Sequence, residues 1–201
     1  GSGSAVVEVA LRVCGLPYRQ IRASTWEPDS AIDELGRVNP MRQIPTLVLP
    51  GGAVMSESAA ILIHLGLLVP HSKLLPDSTS AKAQAIRGLV FIAANCYSAI
   101  GINDYPERWT TASTKPALEK VRQGARRQLH RNWDIFADTF RAEPYLSGAA
   151  PGALDFLAAV VTRWAGTRAH LARSRPGFMD VLRRVDAHES AAPVFREHWD
   201  A

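Results

Sequence analysis

The stretch TLVLPGGAVMSESAAILIHL, from Thr46 to Leu65, leaves a chain few ways to fold. Thr46–Leu49 is apolar and branched, Pro50-Gly51-Gly52 is a tight-turn signal, and Ala53–Met55 resumes the apolar run. That order predicts two strands joined by a reversal. Ala59, Ile61, Leu62, Ile63 and Leu65 follow at once and predict a mostly buried helix. Strand, turn, strand and helix in such close succession belong to a mixed α/β unit. The small polar cluster Ser56-Glu57-Ser58 stands at the mouth of the helix.

The flanking segments agree with that class. Ala5–Cys14 has a helical pattern, with Glu8 and Arg12 spaced for an i,i+4 ion pair, Gly15 at the helix exit and Pro17 just beyond it. Tyr18–Arg22 reads as a short strand and Ser30–Leu35 as a short helix. Pro70–Ser80 (PHSKLLPDSTS) is a polar linker punctuated by prolines, and only helices are predicted after it. These are Ala81–Ile100, Pro116–Phe140, Ala153–Ala169, Pro176–Asp186 and Pro193–Trp199. The expected organisation is an α/β domain over 1–69, a linker over 70–80 and an all-α domain over 81–201. A helix–strand unit of this kind normally packs beside a strand preceding the helix, yet Gly1-Ser2-Gly3-Ser4 leads directly into Ala5. The expectation is that a first strand is missing from this chain; the other reading makes the four residues an artificial linker.

Composition narrows the function classes. The chain has 201 residues, 47% hydrophobic and 21% charged, as an ordinary globular protein does. No window approaches the roughly 18 uninterrupted apolar residues of a membrane span, and the N-terminus lacks a secretory pattern. Membrane insertion is therefore not expected. The two cysteines, Cys14 and Cys96, form no CxxC pair and lie in predicted helices. They read as buried apolar fillers in a reducing cytoplasm, not as a disulfide or a dithiol site. The six histidines show neither HExxH nor a Cys/His ligand spacing, so no metal is expected. Gly1-Ser2-Gly3 lacks the third glycine and the preceding strand of a dinucleotide fingerprint. A net charge of +4 is mild for this length, and RQGARRQLHR (122–131) reads as a solvated helix face, not a nucleic-acid patch.

Ser56-Glu57-Ser58 carries more chemistry. A helix N-terminus leaves N–H groups unpaired and holds partial positive charge, so it draws a carboxylate or phosphate. A serine there hydrogen-bonds that anion, and a neighbouring glutamate takes up an ammonium group. Together they suit a zwitterion such as the α-amino acid end of a peptide. Simple capping of the helix by serine, with Glu57 favouring the dipole, accounts for the same three residues. Ile44-Pro45 adds a proline at the entry to an apolar strand, where it either starts the strand in trans or takes the rarer cis form. In the cis case the backbone of Ile44 is free to offer N–H and C=O to an extended peptide.

Asn39-Pro40, Gln43-Ile44-Pro45-Thr46, Glu57-Ser58 and Ala60-Ile61 resemble, in order and spacing, the glutathione transferase superfamily. There a thioredoxin-like domain carries an NPxxxIPTL…ESxAI pattern, seen here as NPMRQIPTL and ESAAI. ALRVCGLPYR looks like that domain's first helix and the start of its second strand, and YLSGAAPGALDFLAAVV is similar to the capping segment of its helical domain. The resemblance implies a thioredoxin-like domain followed by an all-helical domain, with glutathione as co-substrate and a homodimer as the assembly. It implies that Pro45 is cis, that Ile44 pairs through its backbone with the cysteinyl unit, that Glu57 and Ser58 bind the γ-glutamyl group, and that Gln43 lies nearby. Tyr97 and Trp109 are the implied lining of a pocket for a small apolar electrophile.

Two features depart from the family pattern. Gly152 replaces the capping-box serine, with Asp155 kept three residues on. Gly1 falls where serine-type members carry their thiol-activating serine, and Gly3 where cysteine-type members carry cysteine. Ser2 and Ser4 are the hydroxyls nearby, and Ser2, with Ser4 or a helix N–H as fallback, is the expected thiolate-stabilising group. The expected function is a cytoplasmic transferase of the detoxification kind, activating the glutathione thiol for attack on an electrophile. The rival expectations are a catalytically silent, transferase-like binding or assembly module and, behind it, a nucleic-acid-binding helical protein.

Overall fold

The structure, a computed structural model, describes residues 1–24, 27 and 29–199. Helix α1 (Ser4–Val13) is buried from Ala5 to Leu11 and closes at Gly15, whose φ of 65° is the left-handed conformation that glycine adopts without Cβ strain. Helix α2 spans Ile32–Val38. Strands β1 (Thr46–Val48) and β2 (Val54–Ser56) pair antiparallel with Leu47 opposite Met55, and α3 (Ser58–Leu68) follows directly. The hairpin and helix thus form as the sequence predicts.

Two expectations need correction here. Tyr18–Arg22 makes no ladder among the described residues; the one sheet found has the order β1–β2. A strand needs a hydrogen-bonding neighbour, and this segment is separated from β1 by a cleft of about 880 Å3 that both of them line. Glu8 and Arg12 do not pair with each other. Glu8 is buried and accepts from Gln20 Nε2 at 3.1 Å, with His198 Nε2 at 2.8 Å. Arg12 instead meets Tyr18 and Glu197.

Pro70–Ser72 forms one turn of 3₁₀ helix, and the segment after it is anchored by Leu74 and Leu75, both buried. A long helix then starts at Ser78, whose hydroxyl accepts from the Ala81 amide at 3.2 Å. It runs as α4 (Thr79–Phe91), a wider π turn over Ile92–Tyr97, and α5 (Ser98–Asp104). Together, Thr79–Asp104 is long and apolar enough to cross a membrane by composition, which the sequence reading did not anticipate. In the fold it buries Leu89, Ile92, Cys96, Ala99 and Ile100 in the core. The remaining helices are α6 (Lys115–Thr139), α7 (Ala153–Val161), α8 (Thr167–Ser174), α9 (Pro176–Ala187) and α10 (Ala192–Trp199). The single helix predicted over Ala153–Ala169 is broken, because the chain enters the left-handed region at Ala165 (φ 54°) and Gly166 (φ 72°). The basic run lies on α6, with Ala125 and Leu129 turned into the core and Arg126 and Arg127 exposed.

Helix α7 is buried throughout and forms the centre of the helical part. Its own Phe156 and Leu157 and, from α6, Trp133 and Phe136 are fully buried; each such side chain contributes about 1.5–3 kcal/mol. Its N-terminus is held by Asp155, which accepts from the amides of Leu146 (2.7 Å), Ser147 (3.0 Å) and Gly152 (3.0 Å). Burial raises the Asp155 pKa, while the Ser147 hydroxyl and these amides pull against it. The departure at Gly152 has a steric cause. A Cβ there would lie 2.6 Å from Ser147 Oγ and 2.8 Å from the Leu74 carbonyl oxygen, so a serine has no room.

Candidate functional site

Pro40–Pro45 is a loop whose shape is set by Asn39. The buried Asn39 amide nitrogen donates to the Gln43 carbonyl and to Thr46 Oγ1, both at 3.0 Å, and its oxygen accepts from the Met41 amide at 3.1 Å. Thr46 Oγ1 donates to the same Gln43 carbonyl at 2.8 Å. This network presents Ile44 and Pro45, and the peptide bond between them is cis. Among the described residues, no hydrogen bond engages the Ile44 amide or carbonyl.

The hairpin delivers the second wall. Glu57 sits between β2 and α3 with φ 65° and ψ 107°, and its side chain does not cap the helix. A non-glycine residue held in such a region stores of order 1–3 kcal/mol, which surrounding structure must offset. Ser58 opens α3 and is buried. The first intrahelical bond runs from the Ile61 amide to the Glu57 carbonyl, so the N–H groups of the first turn have no partner within the helix. Electropositive backbone, a hydroxyl and a carboxylate therefore meet within three consecutive residues.

These walls face the N-terminus of α1 and the π turn across one cleft of about 900 Å3. Ser2, Gln43, Ile44, Pro45, Glu57, Ser58, Tyr97 and Trp109 all line it, so nearly every residue singled out in the sequence is brought together. Ser4 is not; it lines the second cleft, beside Tyr18–Arg22. Ser2 borders both clefts, and its Oγ accepts from the Ser4 amide at 3.2 Å. The cleft also gathers Arg42, Tyr105, Arg108 and Trp164, which the sequence did not mark as site residues. Arg108 stacks over Tyr105 at 4.1 Å, and Trp164 lies 6.0 Å from Tyr97, centroid to centroid. The only sequence signal for Tyr105 and Arg108 was their closeness to Trp109.

Tyr97 is the most distinctive of these groups. Its hydroxyl is shut off from solvent and has no hydrogen-bond partner. Burial pushes it up to about 12, opposed by nearby Ser58 and reinforced by the charge of Glu57. Neither cysteine lines the cleft; both are buried elsewhere, with burial raising both thiols, Cys96 to about 12.

Comparison with known proteins bears on this arrangement. Residues 4–67 match the family pattern of the glutathione S-transferase N-terminal domain. The uncharacterized GST-like protein YncG of Escherichia coli strain K12 is 31% identical over 167 residues, which cover 82% of this chain and 78% of that protein. Glutathione S-transferase GstA of Escherichia coli O157:H7 is 25% identical over 66% of this chain and 62% of its own. A glutathione transferase homologue from Sulfitobacter, solved with bound glutathione, superposes with a TM-score of 0.83 over 98% of this chain and 94% of its own, at 21% identity. The bacterial GST BphK, solved as a ternary complex, gives 0.77 at 23% identity, with coverage of 98% and 94%. The structural likenesses establish a thioredoxin-like unit with a small sheet followed by a helical unit. With family pattern, sequence likeness over 82% of the chain and fold in agreement, this chain belongs to the glutathione transferase superfamily.

Proposed function

We propose that the protein binds glutathione in the 900 Å3 cleft and activates its thiol for attack on a small apolar electrophile. The observation that carries this reading is that the unpaired Ile44 backbone, the charged and polar start of α3 and the N-terminus of α1 all face the same space. In this reading Ile44 pairs with the cysteinyl unit, Glu57 takes the ammonium group and Ser58 with the free α3 amides takes the α-carboxylate. Gln43 contacts the tripeptide close by. Glutathione bound in the Sulfitobacter homologue supports the assignment.

The chemistry asks little of the protein. The thiol gives its proton to solvent, and the thiolate is stabilised by hydrogen-bond donors and the positive end of α1. Its electron pair forms the new S–C bond, and the leaving group departs with the bonding pair it held. Trp109, which is 61% exposed, together with Tyr105 and Trp164, supplies an apolar rim for the electrophile. Two buried, unbridged cysteines suit a cytoplasmic setting, and thiolate attack on small electrophiles suits a detoxification role. We further assign residues 1–69 and 81–201 to separate domains joined by 70–80. The homodimer belongs to the same reading, with exposed Leu67, Leu68 and Val90 as its apolar contact.

Conjugation of glutathione to an activated aryl halide tests the proposal, with turnover above the solution rate as the expected result. A second reading, a silent transferase-like module, is favoured by the absence of any side chain at Gly3. Saturable glutathione binding without turnover of a panel of electrophiles would establish that reading instead.

A further inference from the structure

Gly3, at the start of α1, and Tyr97, at the end of the π turn, both line the cleft and approach each other closely. A Cβ built on Gly3 would lie 2.5 Å from the Tyr97 hydroxyl oxygen, 3.5 Å from Pro45 Cδ and 3.6 Å from Tyr97 Cζ. The hydroxyl thus occupies the place of a residue-3 side chain, at the start of a ten-residue helix whose N-cap makes no side-chain hydrogen bond. It is shut off from solvent and no group meets it at hydrogen-bond distance and angle, with the Ser58 side chain close enough to lower its pKa; a buried hydroxyl left so is uncommon in folded proteins. The wide turn over Ile92–Tyr97 ends on this residue, and π turns recur at functional sites.

We infer that Tyr97, from the helical part, donates the hydrogen bond that stabilises the glutathione thiolate, in the role the sequence reading gave to Ser2. The inference rests on the proposed function. Ile44, Pro45 and Tyr97 line the same cleft, and the Gly3 Cβ position near the hydroxyl is also 3.5 Å from Pro45 Cδ, so the hydroxyl stands close to the segment that would pair with the cysteinyl unit. Ser2 Oγ accepts from the Ser4 amide, which leaves its proton free, so Ser2 is the competing donor that the test must separate from Tyr97. With its pKa raised to about 12, the phenol keeps its proton at neutral pH and is available to donate it in a hydrogen bond to the thiolate. The thiol proton therefore leaves to solvent, and Tyr97 undergoes no net change. The hydroxyl is shut off from solvent, so the sulfur engages it only with a small adjustment of the cleft lining; such contacts commonly tighten only in the complex.

The test compares the intact protein with Tyr97→Phe and Ser2→Ala, reading glutathione affinity by calorimetry and the pKa of the bound thiol by ultraviolet thiolate absorbance. Tyr97→Phe is expected to keep affinity within about threefold, raise the thiol pKa by about 1 to 2 units and slow conjugation about ten- to a hundredfold. Because it removes only an unpartnered oxygen, its melting temperature is expected to be unchanged or higher. Ser2→Ala is expected to leave the thiol pKa in place. An unchanged thiol pKa in Tyr97→Phe, or a rise in Ser2→Ala alone, overturns the inference while leaving the proposed function standing. Failure of the unaltered protein to bind glutathione overturns the proposed function itself, and this inference with it.

Discussion

The hydroxyl of Tyr97 stands where a side chain on Gly3 would begin, 2.5 Å from the position of an added Cβ. One residue opens the first helix and the other ends a wide turn in the helical part, so the contact ties these two parts of the chain together in the lining of the cleft.

That contact makes the two positions energetically coupled. Gly3 has an ordinary helical backbone (φ −60°, ψ −14°), so alanine there meets no backbone strain, only the hydroxyl. Gly3→Ala is expected to cost about 1–3 kcal/mol by overpacking. In a Tyr97→Phe background the nearest remaining atoms are Pro45 Cδ at 3.5 Å and the ring Cζ at 3.6 Å, both ordinary contacts. There the same substitution is expected to cost under about 0.5 kcal/mol. Urea unfolding of the four proteins measures the coupling, and additive costs would show that the two groups do not compete for one space.

The start of α7 gives an independent check on the helical part. Removing the Asp155 carboxylate strands the amides of Leu146, Ser147 and Gly152. The Gly152 bond is buried and the other two part-buried; at about 1–3 kcal/mol for a buried donor left unpaired, Asp155→Ala is expected to cost at least about 1 kcal/mol. Gly152→Ser, which would write the family's usual capping box, is expected to lower stability because its Cβ would press on the Leu74 carbonyl at 2.8 Å. A stabilised Gly152→Ser protein, seen as a higher urea midpoint, would contradict this packing.

Alkaline pH is expected to weaken the fold through two adjacent residues. Burial raises Cys96 from 9.0 to about 12 and Tyr97 from 10.0 to about 12, the latter with the charge of Glu57 adding to the effect. Both stay protonated in the folded chain while their unfolded counterparts ionise. Their contribution is therefore complete below about pH 9 and is lost as pH rises toward about 12, at about 1.4 kcal/mol per pH unit for each proton. Tyr97→Phe is expected to lose less stability than the unaltered protein between about pH 9 and 12. Urea midpoints across that range measure the difference, and parallel losses in both proteins would refute it.

Much of this fold was legible because its signals are local. Thr46–Leu65 announces its hairpin and helix through branched residues, a Pro-Gly-Gly turn and an unbroken apolar run, and the structure places them within a residue or two. The cis bond before Pro45 was read from a family resemblance, and the structure has it. Tyr18–Arg22 misled because strand formation depends on a partner elsewhere, and propensity does not report one. The break after Val161 was hidden because Thr162–Thr167 continues the helical pattern of α7, and only the left-handed turn at Ala165 and Gly166 interrupts it. Of the site, Gln43, Ile44, Pro45, Glu57 and Ser58 form short runs that motif spacing finds. The approach of Tyr97 to Gly3 is set by the packing of two distant helices, so it had no sequence signal; Gly3 looked merely like a missing side chain.

The central claim, that this cleft holds glutathione by its γ-glutamyl end, is tested most directly by calorimetric titration of glutathione into the unaltered protein and Glu57→Ala. Losing one charge-assisted hydrogen bond costs about 1.5–3 kcal/mol. The account therefore predicts saturable binding of one glutathione per chain, weakened about ten- to a hundredfold in Glu57→Ala. Absence of binding to the unaltered protein, or an unchanged dissociation constant in Glu57→Ala, would contradict it.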